Sequence, residues 1–202
     1  MAREGVEAGT PGSRTKRQSM KLRYRAGSST VHGLTTVHMS GSSFAEIEEE
    51  FIARVHAMVW CSMATLDTRD RPRSRILHPI WEGSIGWASS RPHSLKAKHL
   101  AHNSYVSLAY IADIAKPVYA DCKAEFVEDA AARQHVWDLF KTTAPPAGFD
   151  LANIFKSVDD PEFGVIKFIP WRIELFDIAN PGNRKVWTAV GETPTFETPK
   201  RS

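Results

Sequence analysis

Arg73-Ser74-Arg75-Ile76-Leu77-His78-Pro79-Ile80-Trp81, followed after a short turn by Ile85-Gly86-Trp87-Ala88-Ser89-Ser90-Arg91-Pro92-His93-Ser94-Leu95-Lys96-Ala97-Lys98, is the stretch that decides the fold. Its first half alternates in the manner of a strand, with a fixed cation, Arg75, at its centre. The second half is another strand, ending in the hydroxyl pair Ser89 and Ser90. It then turns through Pro92 into a helix that opens with Ser94-Leu95-Lys96. A guanidinium fork, hydroxyl donors, an ammonium and the positive end of a helix dipole are the parts that hold a phosphate.

Working outward, the flanking segments read as more strands. Residues 62–68 and 74–81 form one pair, turning through Arg69-Asp70-Arg71-Pro72, and 85–89 completes a meander after Glu82-Gly83-Ser84. Further strands are expected at 105–111, 118–127, 163–169 and 172–178, with a short one at 185–189. Helices are expected where apolar residues recur every three or four positions. One begins at Ser43, whose Glu46 partner has capping-box spacing, and carries Phe44, Ile47, Phe51, Ile52 and Val55. Two more cover 92–103 and 130–140. Residues 142–161, with Pro145-Pro146-Ala147-Gly148, read as a long loop with one helical turn and as a candidate lid or specificity element. Alternating rather than continuous apolar strands point to an antiparallel sheet closing into a small barrel, with the two mid-chain helices across its openings. No G-x-G-x-x-G occurs, which argues against a Rossmann domain.

Charge divides the chain. The net +3 of the 202 residues is concentrated in residues 1–42, where seven Lys and Arg face only Glu4 and Glu7, leaving the remainder mildly acidic. A nucleic-acid surface on the folded part is therefore not expected. The segment 1–42 shows no hydrophobic period and reads as a disordered basic tail. The folded domain is expected over 43–180, with 181–202 as a C-terminal extension. Cys61 and Cys122 lie in separate strands without metal-type spacing, so reduced thiols in a cytoplasm are the simplest reading, and no metal site is expected. No apolar run approaches the ~20 residues that cross a bilayer, so no membrane partner is expected.

Taken in order, Ala64-Thr65-Leu66-Asp67, Arg71-Pro72-Arg73-Ser74-Arg75-Ile76-Leu77, Gly86-Trp87-Ala88-Ser89-Ser90, Ser94-Leu95-Lys96-Ala97, Val106-Ser107-Leu108-Ala109-Tyr110 and Ala124-Glu125-Phe126-Val127 resemble the pyridoxamine 5′-phosphate oxidase-like family of flavin-binding proteins. The resemblance spans roughly residues 44–178. It implies a mainly β fold with flanking helices, a six-stranded antiparallel split β-barrel of Greek-key type. It also implies an FMN-dependent oxidoreductase acting on a small organic substrate, as a homodimer with its cofactor sites at the subunit interface. By the same resemblance Arg75 contacts the flavin phosphate, and the backbone of Ile76, Leu77 and His78 runs along the flavin ring. Ser89 and Ser90 supply the hydroxyl-bearing strand end, Ser94 and Lys96 close on the phosphate, and Trp171 and Arg172 reach the partner subunit's flavin. A deazaflavin in place of FMN, and a non-enzymatic flavin- or haem-holding stress protein, are the alternatives on the same scaffold. No side chain is named as catalytic. Leu95-Lys96 stands where the family's oxidase has Arg-Lys, and its C-terminal Arg-x-His element is not recognisable, so vitamin B6 oxidation is not expected.

Overall fold

The computed structural model describes the backbone of residues 37–40 and the whole of 43–189. Its strands are β1 (Val37–Ser40), β2 (Cys61–Leu66), β3 (Pro72–Leu77), β4 (Ile80–Glu82), β5 (Ile85–Ser90), β6 (Tyr105–Tyr110), β7 (Val118–Val127), β8 (Gly164–Leu175) and β9 (Lys185–Thr188). Its helices are α1 (Glu48–Met58), α2 (Leu95–His102) and α3 (Ala130–Thr142).

The expected second strand, 74–81, is broken at His78-Pro79. Proline has no N–H to give to a ladder, and the chain changes partner there: β3 pairs antiparallel with β2, whereas β4 pairs with β5. Gly83, at φ +54°, makes the tight reversal between β4 and β5. From β5 the ladder passes to β8, then β7, β6 and back to β2. Counting the kinked β3/β4 as one, six antiparallel strands form a curled half-barrel whose ring is completed by the covalent link at His78-Pro79 rather than by hydrogen bonds. The β5-to-β6 connection skips to the far side of the ring through α2, which gives the order its Greek-key character.

Two further strands extend the sheet. β9 pairs antiparallel with the second half of β8, and β1 pairs parallel with β9. The sheet thus continues past residue 180. β1 falls inside the segment read as a tail, of which residues 1–36 and 41–42 lie outside the described residues, as do 190–202 of the extension. The strands expected at 163–169 and 172–178 are one twelve-residue strand, β8. Its irregularity is a bulge: Pro170 faces Cys122 and Arg172 faces Asp121, leaving Trp171 as the extra residue.

The barrel interior holds Met63, Leu77, Trp81, Ala88, Leu108, Tyr110, Cys122, Ile166 and Phe168, joined by Phe51 and Val55 of α1 and Leu100 of α2. Trp81 and Tyr110 satisfy each other inside it, the indole Nε1 donating to the phenolic oxygen at 2.8 Å. The capping box at Ser43 and Glu46 is present, but it opens a 3-10 turn over Phe44–Glu46 before α1 begins. Of the two mid-chain helices, α2 contributes to the interior cluster, whereas α3 packs elsewhere. Its Val136 and Phe140 meet Ile80, Leu151, Phe155, Phe163 and Val165 in a second cluster. Alternation along β8 explains the difference: Val165 and Ile166 point to opposite faces, so the sheet offers an apolar patch outside as well as within. The loop after α3 includes a 3-10 turn at Leu151–Asn153, and its Ala147, Leu151 and Phe155 are buried, so it is anchored in this second cluster.

Candidate functional site

Strand alternation sets which side chains of β3 can act together. Arg73, Arg75 and Leu77 lie opposite Thr65, Met63 and Cys61, on the inner face, while Ser74 and Ile76 share the outer face with Ser62 and Ala64. Ser62 Oγ and Ser74 Oγ meet at 2.6 Å on that outer face. The inner face of β3 looks toward α2, and there a group of cations converges. An Arg75 guanidinium N–H donates to His99 Nδ1 at 3.3 Å. Thr65 Oγ1 lies 3.0 Å from the same nitrogen. Arginine only donates, so Nδ1 must be an acceptor and His99 is neutral with its proton on Nε2. Burial pushes the His99 pKa down, and the neighbouring charge of Arg75 pushes it further.

Lys96 belongs to the same group. Burial lowers its pKa, and so does the positive charge of Arg75. Arg75 is itself lowered by burial and by Arg73. Like charges gathered in a half-buried place are costly unless something anionic joins them. Among the described residues no carboxylate lies within ion-pair distance of Arg75 or Lys96. Asp67, whose charge reaches His99, is engaged by Arg71, whose Nε donates at 3.0 Å in a hydrogen bond that holds the carboxyl well below the usual range. Asp67 also accepts the Arg69 and Arg71 backbone N–H groups at 2.9 and 3.2 Å, closing the turn after β2.

The start of α2 adds to the field. Ser94 is its N-cap, its hydroxyl oxygen accepting from Ala97 N–H at 3.4 Å, which leaves the hydroxyl proton free to donate. The amides of Leu95 and Lys96 have no intrahelical carbonyl ahead of them. Arg75, Lys96 and the α2 N-terminus thus form one positive group. This donor set fits a phosphate, and its missing counter-charge is the observation that says so.

The remaining expected residues are dispersed around it. Ser89 and Ser90 end β5 but point to opposite faces, so only one hydroxyl can serve a given cleft. Ser90 is buried and its Oγ has no partner. Ile76 is on the outer face, Leu77 is interior, and the His78 side chain turns toward the loop after α3, where its Nε2 meets the Ala147 carbonyl at 2.7 Å. Trp171, thrown out by the bulge, lines a cleft of about 250 Å³ with Ala64, Leu66, Pro72, Tyr105 and Asp121. Arg172 donates to Asp121 at 3.1 Å and is paired with Glu174. Trp171 therefore lies along the outer face, away from the Arg75 side chain of its own chain.

Arg73 and His99 were not singled out in the sequence. Two signals pointed to them: Arg73 has the strand period of Arg75, and His99 is three residues from Lys96, on the same helix face. A larger cleft, about 700 Å³, lies on the other side of α2 between Ala97, Leu100, Ala101 and Phe126. It is a poor phosphate seat. Glu125 and Glu128 line it, and its Arg133 is engaged by the Val158 and Asp160 carbonyls at 2.6 and 3.1 Å. Cys61 and Cys122 are free and buried; desolvation pushes the Cys61 thiol up to about 12, which makes it inert as a nucleophile.

Comparison with known proteins bears on the fold that carries this site. The sequence profile of the pyridoxamine 5′-phosphate oxidase family matches residues 47–176. The chain belongs to that family. Solved structures with the same split-barrel fold include a Clostridium acetobutylicum protein related to general stress protein 26 of B. subtilis, 14% identical, covering 71% of this chain and 94% of that one at a TM-score of 0.56. A pyridoxamine 5′-phosphate oxidase-related, FMN-binding protein from Nostoc punctiforme is 13% identical, covering 76% and 96% at 0.55. A NimC/NimA family protein from Clostridium acetobutylicum is 15% identical, covering 70% and 93% at 0.56. No curated protein matches the sequence. At these identities the family's likeness extends to the fold, and neither cofactor nor substrate follows from it.

Proposed function

We propose that the Arg75–Lys96 group and the N-terminus of α2 hold the phosphate of FMN, and that the protein is an FMN-dependent oxidoreductase of a small organic substrate. The observation that carries this is the cluster of half-buried like charges with no carboxylate of their own among the described residues. Bound there, a flavin supplies hydride and single-electron transfer. The chain's own residues would do the binding and orienting. Arg75 is aimed by His99 Nδ1, Lys96 adds charge from the first turn of α2, and Ser94 has a proton to donate.

The placement of Trp171 on the outer face, away from Arg75 of its own chain, suits a homodimer in which Trp171 and Arg172 face the partner's cofactor. No helix among the described residues is long and apolar enough to cross a membrane, and the buried free thiols suit a reducing, cytoplasmic setting.

The deciding experiment is mass spectrometry of the small molecule that co-purifies, with absorption spectra of the protein titrated with FMN and with a deazaflavin. FMN retained in about one copy per chain is expected. Retention of the deazaflavin alone replaces FMN in this reading, and binding of neither overturns it. A bound flavin that no nicotinamide donor reduces would favour the stress-protein alternative, the reading suggested by the structural neighbour related to general stress protein 26.

A further inference from the structure

A second feature of β3 lies beyond the cation cluster. Where the strand ends, His78 enters a cleft of about 300 Å³ lined by Val59, Trp60, Pro146, Phe149 and Ile154. That volume is at the small end of ligand sites, which run from ~300 to 1,000 Å³. Three rings converge on it. His78 lies 5.0 Å from Trp60 and 5.2 Å from Phe149, the latter pair only 34° from parallel. Phe149 is backed edge-on by Phe140 at 5.3 Å. Trp60 is 56% exposed and Ile154 55%, so two apolar walls face solvent although each flanks buried neighbours.

The backbone that presents Trp60 is strained. Val59 adopts φ +64° and ψ −61°, and Trp60 N–H bonds the Met58 carbonyl at 2.7 Å, a three-residue turn rarely adopted by a β-branched residue. His78 gives the cleft a directed polar atom. Its Nε2 faces the Ala147 carbonyl, which only accepts, so Nε2 carries the proton and Nδ1 of the neutral ring is a bare acceptor. Among the described residues Nδ1 has no hydrogen-bond partner, and it is not among the sealed polar atoms.

We propose that this cleft seats a flat heteroaromatic substrate that stacks on Trp60 and Phe149 and donates an in-plane N–H to His78 Nδ1. The cleft is three residues from Arg75 along one strand, about 10 Å at ~3.3 Å per residue, so it adjoins the cofactor seat without overlapping it. The substrate role rests on the flavin reading above; the ligand chemistry of the cleft does not.

The test uses benzimidazole and its 1-methyl analogue, which lacks the N–H, titrated by calorimetry into the FMN-loaded full chain. Benzimidazole is expected to bind at least about tenfold more tightly than the methyl analogue, since a site that offers an acceptor discriminates against a ligand that cannot donate. Trp60→Ala, at an exposed position, is expected to weaken benzimidazole by about tenfold or more while leaving FMN retention unchanged, and Trp60→Phe to restore it. Arg75→Ala is expected to do the reverse, losing FMN and keeping benzimidazole. No binding at millimolar concentration, equal binding of the two probes, or indifference to Trp60→Ala overturns the proposal. So does displacement of benzimidazole by FMN, or a Trp60→Ala loss that tracks a change in oligomeric state. Benzimidazole bound at Trp60 in an unsubstituted chain that binds no flavin overturns the cofactor reading and the substrate role together.

Discussion

Lys96 shows in one residue how a binding site can work against the stability of the empty protein. Its ammonium is half-buried, shares its surroundings with Arg75, and has no carboxylate within ion-pair distance among the described residues. Replacing it by methionine keeps the apolar stem and removes the repulsion. Lys96→Met is therefore expected to leave the cofactor-free protein at least as heat-stable as the parent, while weakening FMN by ~1–3 kcal/mol, the range for a hydrogen bond to a charged group. Arg75→Ala is expected to lose affinity similarly without the gain in stability, because it also removes the bond to His99. Melting temperature and fluorescence titration read the two effects; unchanged affinity in both variants would discard the site. Arg75 and Lys96 were legible in the sequence because each sits at a strand or helix position whose period is plain. His99 was legible only as a neighbour of Lys96 on one helix face, since a lone histidine says nothing of what its ring meets until β3 is laid beside it.

Among elements, the join of α1 to β4 has its own pH dependence. His56, in the last turn of α1, accepts the Trp81 backbone N–H through Nε2 at 3.1 Å, and burial holds its pKa below the ordinary 6.5. His78 and His99 are lowered in the same way. Because the folded values are depressed, the unfolded chain takes up protons first as pH falls, so this stability is present above about 6.5 and is lost as pH drops below it. The melting temperature is expected to fall between pH 7.5 and 5.5, about one unit either side of that value. His56→Gln, whose amide oxygen also accepts but does not titrate, is expected to fall by less; equal slopes would refute the assignment. The elements themselves were largely readable from period and caps. Besides β1, which lies in the segment read as a tail, the exceptions included the break of the second strand at Pro79 and the merging of the strands expected at 163–169 and 172–178 into β8. Both depend on which neighbour supplies the next hydrogen bond, and local periodicity does not carry that information. The anchoring of the loop after α3 was not legible for a similar reason: its Leu151 and Phe155 read as isolated apolar residues in a loop, yet they fill the gap between α3 and β8.

For the whole molecule, the outer face of β2, β3 and β6 has the character of a subunit contact. Ser62, Ala64, Ser107 and Ala109 form a low surface, and beside it Ile76 is 65% exposed. A large charge placed there is expected to disrupt self-association without touching the barrel interior. On the homodimer proposed above, in which Trp171 and Arg172 face the other subunit's cofactor, Ala64→Arg is expected to sediment as a monomer and to retain less FMN. A dimer that persists with full FMN retention would place the interface elsewhere.

Composition and alternation alone determined that this chain is a mainly β, barrel-forming protein with a cationic helix-opening loop, because side-chain period reports which face of an element is buried. The order of segments was enough to expose its family likeness. Only the tertiary structure decided which cations share a cleft, that Trp171 lies on the opposite face from Arg75, and that His78 turns into an aromatic cleft. Those outcomes are set by how distant strands register and where a bulge or a proline interrupts them, and such long-range geometry leaves no local trace in the sequence.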